Sequence, residues 1–233
     1  MILPLAASLL LQEPITTPEA RLEAWDRHRA SEEEGHDPSR TWRALGPRFA
    51  GGRIEAVAVH PDSPQRIFAG IGAGGVWRSD DGGLSWSHVF ADLPTFAVGD
   101  VAVAPSDPDV VWVGTGEAHL SSTSYAGLGV FRSNDGGETW SHVGLSGTQQ
   151  IGKVVIHPED PDHVWVAAIG HRHGPNAERG VYETIDGGET WEQVLFVNEE
   201  TTLIDLVMDR SDPETLFAAA WRRGGGGLSL IHI

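Results

Sequence analysis

The residues best suited to chemistry sit in two irregular stretches. EAHLSSTSYAGL holds Glu117, His119, Ser124 and Tyr125, and GHRHGPNAER holds His171, Arg172, His173, Asn176, Glu178 and Arg179. Arg172 and Arg179 offer forked donors that match a carboxylate. Glu117 and Glu178 are the one pair of carboxyl groups here suited to acid–base work on a glycosidic bond, which needs its two groups roughly 5 to 10 Å apart. Two readings stand side by side: a site of convergent polar groups, or loops whose polar groups bond to one another. Glu178 and Arg179, beside Gly180 at a strand start, lean toward the second. The two imidazoles His171 and His173 lie in a loop with no third ligand marked, so neither a metal nor a cofactor is expected.

Three aspartates share one setting. SDDGGLSW (Ser79 to Trp86), SNDGGETW (Ser133 to Trp140) and TIDGGETW (Thr184 to Trp191) place Asp81, Asp135 and Asp186 before a Gly-Gly pair. Gly82 with Gly83, Gly136 with Gly137 and Gly187 with Gly188 suit a tight turn with positive φ, across which the carboxylate can accept backbone N–H groups. One active site would not need three copies, so the boxes are predicted to be structural. Trp86, Trp140 and Trp191 are then expected to fold into the seam between neighbouring units. Trp112 and Trp165 share a second repeated position and Trp77, Phe131 and Tyr182 a third, which favours core packing over sugar stacking; Trp221 has no counterpart.

The boxes belong to a larger repeat. VAVHPDSP, VAVAPSDP, VVIHPEDP and LVMDRSDP recur upstream, each followed by an alternating apolar run such as RIFAGI or VVWVGT and then by GVWRS, GVFRS or GVYET. His60 and His157 hold matching turn positions. Four short antiparallel strands in a unit of about fifty residues predict the blade of an all-β propeller, and 29 Gly with 9 Trp suit its tight turns and aromatic plugs. The units are placed at about 52–97, 98–150, 151–202 and 203–227. The fourth stops where its third strand and box should follow, which marks a fragment of about three and a half blades, with 228–233 read as a non-native tail. The remainder of its own propeller is thus an expected partner.

Ahead of the repeats, residues 1–16 open with MILPLAASLLLQ, the length of a secretory hydrophobic region and too short to span a bilayer. They read as a truncated signal segment or as a buried strand or helix end; the first implies a secreted, periplasmic or cell-surface protein. Residues 17–41 read as a helix from Thr17 to Glu34 and a linker, with Thr17 as N-cap, Pro18 in the first turn, and Leu22 and Trp25 anchoring it against the main domain. A net charge of -17 repels phosphate backbones and anionic lipid, so nucleic acid is excluded as a partner. The chain has no cysteine, hence no disulfide.

At its boxes the sequence resembles the Asp-box repeat superfamily of sialidases, xyloglucanase-type glycosidases, a photosystem assembly factor and sortilin-type receptor domains. It is most similar to large exported bacterial proteins of the sortilin-like or glycosyl-hydrolase-like kind, through Gly46, Pro47, Gly51 to Ile54 and the two stretches above. A sialidase likeness would imply an Arg-Ile-Pro segment, but Arg53-Ile54-Glu55 lacks the proline. The xyloglucanase likeness implies a catalytic Asp where AGIGAGGVWR has Gly72, and a glycine moves no proton. The resemblance therefore implies a propeller that binds a protein, peptide or glycan at loops around its channel mouth. The alternative is a glycoside hydrolase with carboxylates partly outside this stretch.

Overall fold

A computed structural model of the chain describes residues 17–33, 52–121, 123–222 and 229–232. The signal segment, the Gly46-Pro47-Gly51 motif and the ends of the proposed tail lie outside them. Two compact units divide at Thr41 and Trp42. The first contains helix α1 (Pro18–Glu33), capped as its sequence predicts: Thr17 Oγ1 accepts the amide of Ala20 at 3.2 Å.

The second unit is a series of antiparallel sheets, each wound in chain order. Blade one comprises β1 (Ile54–Val59), β2 (Ile67–Ile71), β3 (Gly75–Ser79) and β4 (Ser87–His88). Blade two comprises β5 (Val98–Val103), β6 (Val111–Thr115), β7 (Val130–Ser133) and β8 (Ser141–His142). Blade three comprises β9 (Ile151–Ile156), β10 (Val164–Ala168), β11 (Gly180–Thr184) and β12 (Glu192–Leu195). A fourth sheet joins β13 (Thr201–Asp209), β14 (Asp212–Arg222) and β15 (Ser229–His232), so a short segment of the expected tail pairs where a third strand belongs.

The recurring Pro/Asp phrases close the first hairpin of blades one to three. In blade one the His60 Nδ1 accepts the amides of Asp62 and Ser63 at 3.2 and 3.1 Å; His157 repeats this with Glu159. These histidines are turn residues, as their spacing predicts.

The first strands β1, β5, β9 and β13 lie side by side in that order, and every one carries a bulge at the same step. Pairing skips Glu55 in β1, Gly99 in β5, Gly152 in β9 and Ile204 in β13. Glycine is required at the middle two, because a Cβ on Gly99 would land on the Ile151 carbonyl and one on Gly152 on the Ile204 carbonyl of the following blade. Between these strands the seams fill with apolar side chains. Trp112, fully buried, packs with Val130, Ile151 and Val154, and Trp191 meets it edge-on at 6.2 Å. In the next seam along, Trp165 fills the corresponding space with Leu203 and Leu206.

A candidate site at the mouth between the first two blades

β1 begins, and β2 ends, at the end of the sheet where β5 begins and β6 ends. The chain leaving β2 is tied to the chain entering β1 by the Gly72 amide, which donates to the Arg53 carbonyl at 2.8 Å. One blade along, Gly116 does the same to Ala97. The residue after Gly116 is Glu117, so the first irregular stretch leaves its strand facing blade one.

There it meets residues that the repeat pattern does not single out. Arg53 Nε lies 3.3 Å from Glu55 Oε1 and its Nη2 lies 3.1 Å from Glu117 Oε2, so one guanidinium bridges both carboxylates. His119 Nδ1 is 2.6 Å from Glu55 Oε2, and the Tyr125 amide donates to Glu117 Oε2 at 3.3 Å. The two Glu side chains are 2% and 4% exposed, whereas Arg53 and His119 remain open to solvent. Burying two carboxylates is tolerable here because each has a charged or hydrogen-bonding partner.

Gly72 makes room for the pair. A Cβ on it would stand 2.9 Å from Glu55 Oε1 and 3.0 Å from Glu117 Oε1. The two oxygens are therefore no more than about 6 Å apart, so the two carboxylates stand side by side. The Glu117 loop is also pinned from beneath: Leu120 is buried, with its backbone held at a left-handed φ of 48°. Beside the cluster, Phe96 and Tyr125 are 50% and 52% exposed and meet edge-on at 5.0 Å. Together they form an aromatic ledge next to the polar floor.

The second irregular stretch lies one junction further on, and most of its polar groups bond to backbone carbonyls. Asn176, buried, accepts the His171 amide through Oδ1 and donates through Nδ2 to the carbonyls of His171 and Gly174. Arg179, also buried, donates to the carbonyls of Glu199, His171 and Gly174 at 2.7 to 3.2 Å. Glu178 stands 4.0 Å from the His171 ring, whose Nε2 bonds to the Gly147 carbonyl. Arg172 is half-buried and His173 exposed. Glu117 thus finds its carboxylate neighbour in Glu55, while Glu178 belongs to the next junction. Among the described residues no group of three or more His, Asp or Glu is placed to hold a metal, and no helix is long and apolar enough to cross a membrane.

The three boxes are alike to within tenths of an ångström. Ser79 Oγ donates to Asp81 Oδ1 and accepts the Gly83 amide, and Asp81 in turn accepts the amide and hydroxyl of Ser85. Ser133, Asp135, Gly137 and Thr139 repeat this, as do Thr184, Asp186, Gly188 and Thr190. Both glycines of every box have positive φ. The Ser85 hydroxyl, then its amide, hold Asp81 down to about 2, and Thr190 does the same to Asp186. Asp135 is also lowered: burial pushes it up, and the bonds from Thr139 outweigh that. A carboxylate so fully occupied accepts no substrate proton at neutral pH.

The second and third boxes also tie their blades to the one before. Trp140 Nε1 donates to the Val89 carbonyl at 2.8 Å and Trp191 Nε1 to the Val143 carbonyl at 2.6 Å. In return Arg78 donates to the Gly136 carbonyl and Arg132 to the Gly187 carbonyl. Trp86 departs from the expected seam position: 40% exposed, it turns back on its own Gly83 carbonyl at 3.1 Å. No described segment stands where Val89 stands for Trp140.

No protein-family model matches the chain. A xyloglucanase from Hypocrea jecorina (strain QM6a) is 26% identical over 181 residues, covering 60% of this chain and 20% of the relative. Among solved structures, an ancestral GH74 enzyme superposes with a TM-score of 0.62 at 23% identity, covering 83% of this chain and 25% of that one. YCF48 bound to D1 peptide superposes with a TM-score of 0.50 at 13% identity, covering 78% and 55%. The repeated sheets, the boxes and these superpositions agree. The chain is a run of Asp-box β-propeller blades. It spans about a fifth of the xyloglucanase it matches. The propeller blades reproduce the architecture that the box and strand repeats predict.

Proposed function

We propose that this propeller is an exported recognition module that binds a glycan at the mouth between blades one and two. The observation that carries the reading is the Phe96–Tyr125 ledge, two half-exposed rings set against a floor of Arg53, His119, Glu55 and Glu117. Ring faces suit the C–H faces of a sugar, and the polar floor offers both donors and acceptors to its hydroxyls. Distant likeness to a xyloglucanase supports a carbohydrate ligand, and the apolar run MILPLAASLLLQ is in keeping with export.

A hydrolytic reading draws on one geometric fact, the closeness of Glu55 Oε1 to Glu117 Oε1 across Gly72. Against it, Arg53, His119 and the Tyr125 amide already occupy three of the four oxygens. Calorimetric titration with xyloglucan oligosaccharides, with the mixture then analysed for products, tests both readings. Binding without products, weakened about fivefold by Tyr125→Ala through the loss of ~1 kcal/mol of stacking, is the expected result. Binding that Tyr125→Ala and Phe96→Ala leave unchanged removes the ligand from this ledge. Hydrolysis lost in Glu55→Gln or Glu117→Gln establishes the second reading instead.

A further inference from the structure

The three seams obey one rule. On the first strands, Val98 with Val101, Ile151 with Val154 and Leu203 with Leu206 hold one repeated pair of positions, all at most 3% exposed. Onto each pair the second strand of the blade before presses a large aromatic and a small residue. Trp112 and Gly114 lie against Ile151 and Val154, and Trp165 and Ala167 against Leu203 and Leu206. Phe68 and Gly70 stand in the same register in blade one, and a Cβ on Gly70 would meet both Val98 and Val101.

The same rule leaves two uncovered half-seams. Blade one carries a receiving half: Ile54 and Val57 occupy the paired positions but are 62% and 59% exposed. The fourth sheet carries an inserting half. Phe217 stands in the register of Trp112 and Trp165, and Ala219 in that of Gly114 and Ala167, yet Phe217 is 56% exposed and Ala219 lies open beside it. Asp205 takes the place of Asp100, whose Oδ2 accepts the Val154 amide across the second seam at 2.8 Å. In blade one the counterpart of that amide belongs to Val57. Ala56 stands where Lys153 pairs with Asp100, so a seam made from these halves lacks that ion pair.

We infer that this chain associates head to tail with a second copy of itself, Phe217 and Ala219 of each copy seating on Ile54 and Val57 of the other. Each half supplies what the other lacks, in the register that three seams of the same chain already use. Burial of these exposed apolar side chains drives the association. The contact joins unlike faces, so it repeats until it closes a ring. Four sheets in each copy make eight in a pair, within the roughly four to eight blades at which propellers close. Both copies carry a net charge of -17, so they repel one another and association strengthens as salt is raised.

Sedimentation velocity on the intact chain, over a concentration series at low and moderate salt, tests this. A dimer at micromolar concentration, favoured by salt, is expected. Phe217→Asp and Val57→Asp each put a charge into every contact, so each alone should associate at least about a hundredfold more weakly. An equimolar mixture of the two should dimerise again, because one contact in the mixed pair joins two unaltered faces. The chain has no cysteine, so Val57→Cys chains mixed with Phe217→Cys chains should yield a disulfide-linked pair on oxidation that neither yields alone. That measurement decides the matter even where an aspartate variant fails to fold. An unaltered chain that stays monomeric at roughly 100 µM overturns the inference. So does a dimer that both aspartate variants leave intact, or a cysteine mixture that links no more than its parts.

Discussion

Replacing Trp140 by phenylalanine isolates the bond that ties blade two to blade one. The smaller ring can still meet Phe90, which the indole now touches edge-on at 5.2 Å, but Nε1 and its 2.8 Å bond to the Val89 carbonyl are gone. An unpaired carbonyl in a seam costs ~1–2 kcal/mol. The apolar area lost between indole and phenyl adds ~1 kcal/mol. A domain of this size loses about 2–4 °C of melting temperature per kcal/mol, so the midpoint should fall by about 5–10 °C. Trp191→Phe should behave alike, since it breaks the equivalent bond to Val143. Trp86→Phe is the internal control: its bond closes on its own hairpin and the residue is 40% exposed, so less than ~0.5 kcal/mol and under about 2 °C are expected. Thermal unfolding followed by far-ultraviolet circular dichroism distinguishes them. If Trp86→Phe lowers the midpoint as far as the other two, the box tryptophans do not act through the seam.

Other outcomes follow from the same geometry. The depressed carboxyls of Asp81, Asp135 and Asp186 stabilise the folded chain above the ordinary carboxylate range, and this is lost as pH falls toward about 2. Melting scans at stepwise lower pH should therefore show a steep loss in the acid range, shallower in Asp135→Asn. Gly72→Ala must displace the Glu55 and Glu117 carboxylate tips by a few tenths of an ångström, so a melting point lower by up to about 2–4 °C and weaker glycan binding are expected together. Unchanged binding with that loss of stability would confine the cluster to a structural role. Arg132→Lys keeps the charge but loses the fork that reaches the Gly187 carbonyl and Asp162 and lies over Trp112, a cost of ~1–2 kcal/mol readable in urea unfolding.

The boxes were legible because their bonds are local. Asp81 reaches Ser85 and Ser79, so all the partners lie within one short phrase, and a phrase repeated three times identifies itself. Strand order was legible for the same reason. The mouth cluster was half legible: Glu117, His119 and Tyr125 stand out as departures from the repeat, but Arg53 and Glu55 come from the start of the first strand of a different blade. One signal could have found Glu55. It occupies the bulge position filled by glycine in the next two blades, and a carboxylate replacing glycine at a repeated position is itself a departure. Nothing in the second stretch foretold that Asn176 and Arg179 would bond to the carbonyls of their own loop, since the same residue types serve equally well to hold a loop or to hold a ligand.

The bulge has a consequence for how such a module diversifies. A residue outside the ladder makes no register contribution, so its side chain can be exchanged without re-pairing the strand. Gly99 and Gly152 are locked by the carbonyl of the neighbouring blade, but Glu55 and Ile204 show the slot accepting a charged and an apolar side chain. Where the neighbouring carbonyl stands clear, as at Glu55 and Ile204, the bulge offers descent with modification one position where chemistry can be tried while the scaffold stays as it was.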